Sequence, residues 1–206
     1  MPIANIVLSA RLNTNVDLRK FSLLAPFNSI KYRQFDIGHV VIRFTGPKAT
    51  VLLYRNGKVV CNGVREVQQA ELALARITHA LQEMGYDKAR ISNMRIVNVV
   101  ASSQLGSEVD LNRLSSCRAG SIFEKEIFPG ANFRLNNGVT VVAFENGKFF
   151  VTGAKSVAAA EASVLTAERI LRQYSTGRWD SVSPRLCIKG SYEIVPTLVF
   201  THMNTR

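Results

Sequence analysis

The chain repeats itself, and no other feature restricts its fold as much. Ala4-Asn5-Ile6-Val7 recurs as Val97-Asn98-Val99-Val100, and Val16-Asp17-Leu18 recurs as Val109-Asp110-Leu111, each 93 residues on. Phe35 and Phe128 are also 93 apart. Asn56-Gly57-Lys58-Val59 and Asn146-Gly147-Lys148-Phe149 are 90 apart, as are Gly63 and Gly153. Chance supplies one such match, not an ordered series of five. Repeats of this kind set the architecture before any single element does. The chain divides into a first repeat, 1–92, a second, 93–175, and a C-terminal extension, 176–206, with no counterpart in either.

Within each repeat the periodicities change in the same order. Ala4–Ala10 alternates and is rich in β-formers, hence a strand. Asp17–Leu24 reads as a short helix with Asn15 as its cap. Strand-like runs follow at Gly38–Phe44 and Ala49–Tyr54, joined by the turn signal Thr45-Gly46-Pro47. Asn56-Gly57 then marks a tight hairpin into Lys58–Cys61. Glu66–Met84 carries Val67, Ala70, Leu74, Ile77, Leu81 and Met84 at three- and four-residue spacing, the stripe of a long amphipathic helix. The second repeat copies this through the Asn146-Gly147 hairpin and a helix over Ser156–Tyr174. The expected order is strand, short helix, four strands, long helix, twice over. The fold class is α+β, an antiparallel sheet with helices on one face.

Helices on one side leave the other face of the sheet open. Alternation puts Asn5, Val7 and Ser9 on that face, with Thr50, Leu52 and Tyr54, and with Lys58, Val60 and Asn62. In the second repeat the corresponding residues are Asn98, Val100 and Ser102; Thr140, Val142 and Phe144; and Lys148, Phe150 and Thr152. An apolar face edged with lysines is an aggregation hazard unless something flat covers it. The charge balance, 26 Lys and Arg against 15 Asp and Glu, gives a formal net charge of +11 and favours a polyanionic partner.

Other classes find little support. No run of about 18 apolar residues would cross a membrane, and the first dozen residues lack the pattern of a secretory signal. Cys61, Cys117 and Cys187 are widely spaced, which predicts neither a metal site nor a disulfide framework and favours a reducing compartment. His39, His79 and His202 are scattered. There is no glycine-rich phosphate loop. The expectation is a binding protein, not an enzyme, with no cofactor, metal or small-molecule substrate. RNA binding through an exposed aromatic sheet is a further alternative, against which the duplicated Asn-x-Val stands.

These residues resemble the TATA-box-binding protein family over about 3–175. The resemblance rests on Asn5-Ile6-Val7, Asn56 to Gly63, Arg95 to Val100, Phe123-Glu124-Lys125-Glu126-Ile127-Phe128-Pro129-Gly130, Asn146-Gly147-Lys148, and Val151 to Lys155. It implies a pseudo-twofold saddle whose concave sheet lies on the DNA minor groove. There A·T pairs show only acceptors, while guanine adds a donor and bulk. Minor-groove contacts are then expected from Asn5, Val7, Leu52, Val60, Asn62, Asn98, Val100, Val142, Phe150 and Thr152. Phe128 and Phe144 match the family's DNA-kinking wedge pair, and the repeat assigns Phe35 and Tyr54 to the same role; the general description of such wedges takes this family as its example. Phosphate contacts fall to Arg43, Lys48, Lys58, Arg134, Lys148 and Lys155. Glu124 and Glu126 resemble the loop that docks the B-type initiation factor.

The resemblance implies a general initiation factor that recognises A·T-rich, TATA-like promoters, bends them and nucleates a preinitiation complex with B-type, and A-type, factors and RNA polymerase. It implies a nuclear location, or a cytoplasmic one in an archaeon, with a viral origin as a further alternative; the basicity leans toward a nuclear member. The alternative is a divergent relative acting mainly as a protein-interaction platform. Departures concentrate in the first repeat. Tyr54 replaces a wedge Phe, Asn62 replaces a usual Thr, and gap-free alignment on Arg43 and Arg134 places Ile37, not Phe35, opposite Phe128. In the second repeat Phe150 replaces a usual Val.

Overall fold

A computed structural model describes residues 2–27, 30–32 and 38–176. The first repeat contains β1 (Ile3–Leu12), α1 (Leu18–Leu24), β2 (Ile30–Tyr32), β3 (His39–Thr45), β4 (Lys48–Tyr54), β5 (Lys58–Val64) and α2 (Val67–Glu83). The second contains β6 (Ile91–Gln104), α3 (Leu111–Cys117), β7 (Gly130–Arg134), β8 (Thr140–Phe144), β9 (Lys148–Ala154) and α4 (Val157–Leu171), closed by a 3₁₀ turn at Arg172–Tyr174. All nine strands form one sheet in the order β2-β3-β4-β5-β1-β6-β9-β8-β7, with every neighbouring pair antiparallel.

The centre of the sheet is where the two repeats meet. β1 pairs with β6 so that Ile6 faces Val99, Asn5 faces Val100 and Val7 faces Asn98. Ile6 and Val99 are repeat equivalents, 93 residues apart. A residue paired with its own equivalent lies on a twofold axis, so the pseudo-dyad passes through this pair. The duplicated Asn-x-Val then falls symmetrically on either side of it.

Strand residues alternate between buried and partly open along β1, β4, β5 and β9. The buried set meets the long helices through Ala70, Ala73, Leu74, Ile77 and Leu81 of α2, and Ala160, Val164, Ala167 and Leu171 of α4. Removing each large apolar side chain from water stabilises the layer by about 1.5–3 kcal/mol. The small residues on both helices let them lie close to the sheet. α1 and α3 cover the flanks with Leu18 and Phe21, and with Leu111 and Leu114.

Local signals explain the boundaries. Asn56 and Asn146 each accept a hydrogen bond from the backbone N–H of Lys58 and Lys148, at 3.1 and 3.0 Å. Gly57 and Gly147 follow at φ +76°. A Cβ at Gly57 would lie 2.6 Å from the Thr14 carbonyl oxygen, and at Gly147 it would overlap the Ser107 carbonyl. Only glycine fits either turn. Ser156 caps α4 by accepting from the Ala159 N–H.

Three expectations are corrected. The cap of α1 is Asp17, which accepts from the N–H groups of Arg19 and Lys20; Asn15 is too far upstream to reach the first turn. The second repeat has three strands after its short helix rather than four. Where the first repeat has β2, it keeps a single bridge between Ile122 and Asn132, because 123–129 forms a turn-bearing loop instead. Cys117 is disulfide-bonded, against the expectation of no bridge, whereas Cys61 is free and buried. The extension 177–206, with Trp179 and the strand-like run Tyr192–Phe200, lies outside the described residues.

Candidate nucleic-acid interface

The face opposite the helices carries a row of half-buried side chains. Asn5, Val7 and Ser9 of β1 and Asn98, Val100 and Ser102 of β6 form its middle. Thr50, Leu52 and Tyr54 of β4 and Val60 and Asn62 of β5 continue it on one side. Thr140 and Phe144 of β8 and Phe150 and Thr152 of β9 continue it on the other. Among the described residues no helix covers this face, so whatever shields it comes from outside them.

The two asparagines are held rather than free. The Asn5 Oδ1 accepts from the backbone N–H of Gly63 at 2.8 Å. The Asn98 Oδ1 accepts from the N–H of Gly153 at 2.7 Å. Each carbonyl oxygen is assigned by its partner, because an amide NH2 has nothing to accept with. The amide nitrogen is therefore the pole left for another molecule. Asn98 Nδ2 also lies 3.3 Å from the Thr152 hydroxyl oxygen. Gly63 and Gly153 marked the repeat in the sequence, but their N–H groups as anchors for the asparagines carried no sequence signal.

At the outer edge of the second repeat the rings of Phe128 and Phe144 lie 5.9 Å apart at 59°. Phe150 continues the row, 6.3 Å from Phe144. Gly130 makes this possible, since a Cβ there would meet the Phe128 ring at 2.7 Å and the Phe144 ring at 3.1 Å. The equivalent edge of the first repeat differs. Tyr54 pairs across strands with His39 as Phe144 does with Gly130. The His39 and Tyr54 rings are 5.2 Å apart, and the Lys58 ammonium sits 5.7 Å from the Tyr54 ring. His39 Nδ1 is buried with no hydrogen-bond partner among the described residues. Sequence reasoning left His39 among scattered histidines; only the cross-strand register places it here. Phe35 lies outside the described residues.

Val142 lies on the same face but is only 7% exposed, between Asn132 on β7 and Phe150 on β9, and so shows less surface than the other residues expected to meet DNA.

Arg43, Lys48, Lys58, Arg134, Lys148 and Lys155 are all exposed, and none forms a salt bridge among the described residues. Five are available to an outside anion. Lys155 is directed inward, donating to the Val97 carbonyl at 2.8 Å. Glu124 and Glu126 sit on the exposed loop before β7, where Ile127 is 79% exposed. Glu145 beyond the loop pairs with Lys125 at 3.5 Å. Among the described residues no group of His, Cys, Asp and Glu is placed to hold a metal ion, and no helix is long and apolar enough to cross a membrane.

The sequence matches the family model described as transcription factor TFIID, or TATA-binding protein, over residues 1–84 and 93–174. The chain belongs to the TATA-binding protein family. The two matched segments fall on the two repeats. The TATA-box-binding protein of Archaeoglobus fulgidus is 37% identical over 177 residues, covering 84% of this chain and 94% of its own. That of Methanocaldococcus jannaschii is 33% identical, covering 75% and 84%. TATA-box-binding protein 2 of Entamoeba histolytica is 30% identical, covering 74% and 72%. Among solved structures, Methanococcus jannaschii TBP aligns with a TM-score of 0.73 at 29% identity, over 84% of this chain and 98% of that one. The duplicated, helix-backed sheet read from the repeat is thus the fold of a TATA-binding protein family member, as the resemblance implied.

Proposed function

We propose that this chain is a general transcription initiation factor that binds A·T-rich promoter DNA through its open sheet face. One observation carries the reading. Two symmetry-related asparagines flank the pseudo-dyad, each with its carbonyl committed to a glycine N–H and its amide left to donate. The minor groove of A·T pairs presents acceptors only, at adenine N3 and thymine O2. Two fixed donors amid Val7, Val60 and Val100 match that pattern. Guanine places a donor in the same space, where an amide N–H has nothing to offer it.

The remaining roles follow from position. Phe128 and Phe144, with Tyr54 opposite, would enter base steps and unstack them, which costs a few kcal/mol per step and is offset by the surface gained on a bent duplex. Arg43, Lys48, Lys58, Arg134 and Lys148 supply sequence-independent affinity through phosphates. Lys155 spends one of its three donors on the Val97 carbonyl and is tied to the strand, so its reach to a phosphate is shorter than that of the other five. The pseudo-symmetric units are 1–92 and 93–175, with 176–206 an extension. The chemistry is binding, not catalysis. The exposed Glu124–Ile127 loop is the surface for a B-type initiation factor. The protein works where the template is, in the nucleus where there is one and otherwise in the cytoplasm.

Gel-shift and bending assays on TATA-containing and G·C-substituted duplexes at two salt concentrations test the core of this. The expected outcome is tight, bent complexes on the first only, weakening steeply with salt. Equal affinity for both duplexes would remove the sequence-specific reading. Glu124→Arg should abolish capture of a B-type factor while leaving DNA binding intact. Unchanged capture would take Glu124 out of that surface.

A further inference from the structure

We infer that the two halves of the sheet differ in what they tolerate: the β5 half accepts a G·C pair that the β9 half rejects. The inference rests on the DNA-reading function above and adds a polarity to it.

The two halves are comparable residue by residue. Thr50 pairs with Asn62 as Thr140 pairs with Thr152, and Leu52 pairs with Val60 as Val142 pairs with Phe150. At the first of these positions the Thr152 hydroxyl lies 3.3 Å from the Asn98 amide and already accepts from it. Asn62 stands half-buried on the same face, and its side chain makes no hydrogen bond among the described residues. At the second position Phe150 packs on Phe144 and Val142 is covered. Val60 has no ring, and Leu52 beside it keeps part of its surface.

Both differences bear on one atom group. In the minor groove a G·C pair differs from A·T by the guanine 2-amino group. A sheet rejects it by leaving that donor without an acceptor and without room. Asn62 supplies an uncommitted carbonyl oxygen, one bond further from the backbone than a threonine hydroxyl, and Val60 in place of a phenylalanine leaves space. The Asn62 amide also has N–H groups, so the same side chain turns over to serve an A·T pair. On the β9 side one of the two acceptor positions of the Thr152 hydroxyl is taken by Asn98, and the space is filled by Phe150.

A near-symmetric saddle binds a symmetric A·T duplex in both orientations. One G·C pair placed off-centre should fix the orientation, with the β5 half over it. Thr45, exposed at the β3–β4 turn, is replaced by cysteine and carries an iron chelate that cleaves nearby DNA; the unsubstituted chain serves as the labelling control. Three duplexes are compared: all A·T, one G·C pair on one side, and one inosine·C pair at the same place. Inosine is guanine without the 2-amino group.

Cleavage should be balanced on the first and third duplexes and biased about tenfold or more toward the G·C side on the second. Asn62→Thr should remove the bias, and the double substitution Thr152→Asn with Phe150→Val should remove it by giving the β9 half the same acceptor and the same room. Balanced cleavage on the G·C duplex, the same bias with inosine, or a bias that survives Asn62→Thr overturns the inference. Affinity for the all-A·T duplex against an all-G·C duplex is read alongside. If A·T is preferred and orientation stays balanced, only the inference falls; if A·T is not preferred, the DNA-reading function falls as well.

Discussion

The outer edges of the two repeats use the same register for different packing. On the second repeat, β7 begins with Gly130, and its missing side chain admits Phe128 against Phe144. On the first repeat, β3 begins with His39, whose ring lies against Tyr54. One edge is a purely apolar ring pair. The other carries an imidazole, a phenol and a nearby ammonium. A phenylalanine entering a base step loses only hydration of its ring, whereas Tyr54 must also desolvate its hydroxyl or find it a partner. Duplication therefore preserved the backbone while the ring chemistry of the two edges diverged, and under the proposed wedge role the second repeat has the ring that is cheaper to insert.

The largest effects should fall where the repeats are still identical. Gly57→Ala and Gly147→Ala each put a Cβ onto backbone carbonyls in a left-handed turn. Both should cost about 2–4 kcal/mol of stability in chemical denaturation. A loss confined to one of them would mean that the hairpins are not equivalent.

Next comes the edge that distinguishes them. Gly130→His imports the first repeat's residue into the second. The added side chain must displace the Phe128 or Phe144 ring, an overpacking change of about 1–3 kcal/mol. The bend angle measured on a TATA duplex should fall, and the tight complex should weaken more than salt-driven binding to random duplex. An unchanged bend would separate the ring pair from bending altogether.

Much of this was legible in the sequence because the repeat acts as an internal alignment. The Asn-Gly hairpins and the central Asn-x-Val strands came from residues that recur at fixed offsets, while the pairing of Phe128 with Phe144 came from the family resemblance. What was not legible depends on cross-strand neighbours. His39 and Gly130 share a register position that no sequence motif marks. Val142 alternates like its neighbours, and only its place between two strands shows how little of it is exposed. The hydrogen bonds from Gly63 and Gly153 to the asparagines join residues 58 and 55 apart, beyond the range of any local pattern. The Asp17 cap is a local feature that was missed because Asn15 is an equally good capping residue type two positions away.

The smallest effect tests whether the buried side of the sheet has diverged as the open side has. Cys61 occupies the position of Val151, and both are buried. Burial pushes the Cys61 thiol up from 9.0 to about 11, because a thiolate would lose its hydration. A group whose folded pKa is raised contributes stability that is full below the unfolded value and is lost as pH rises through the folded one. The native chain should therefore lose stability between about pH 9 and pH 11 on this account. Cys61→Val should be nearly neutral at pH 7, within about 1 kcal/mol, and should flatten that part of the alkaline profile. Cys61 should also resist alkylation in the native state at pH 8.5, since it is both covered and protonated. If the alkaline slope is the same in Cys61→Val, the thiol contributes nothing to it.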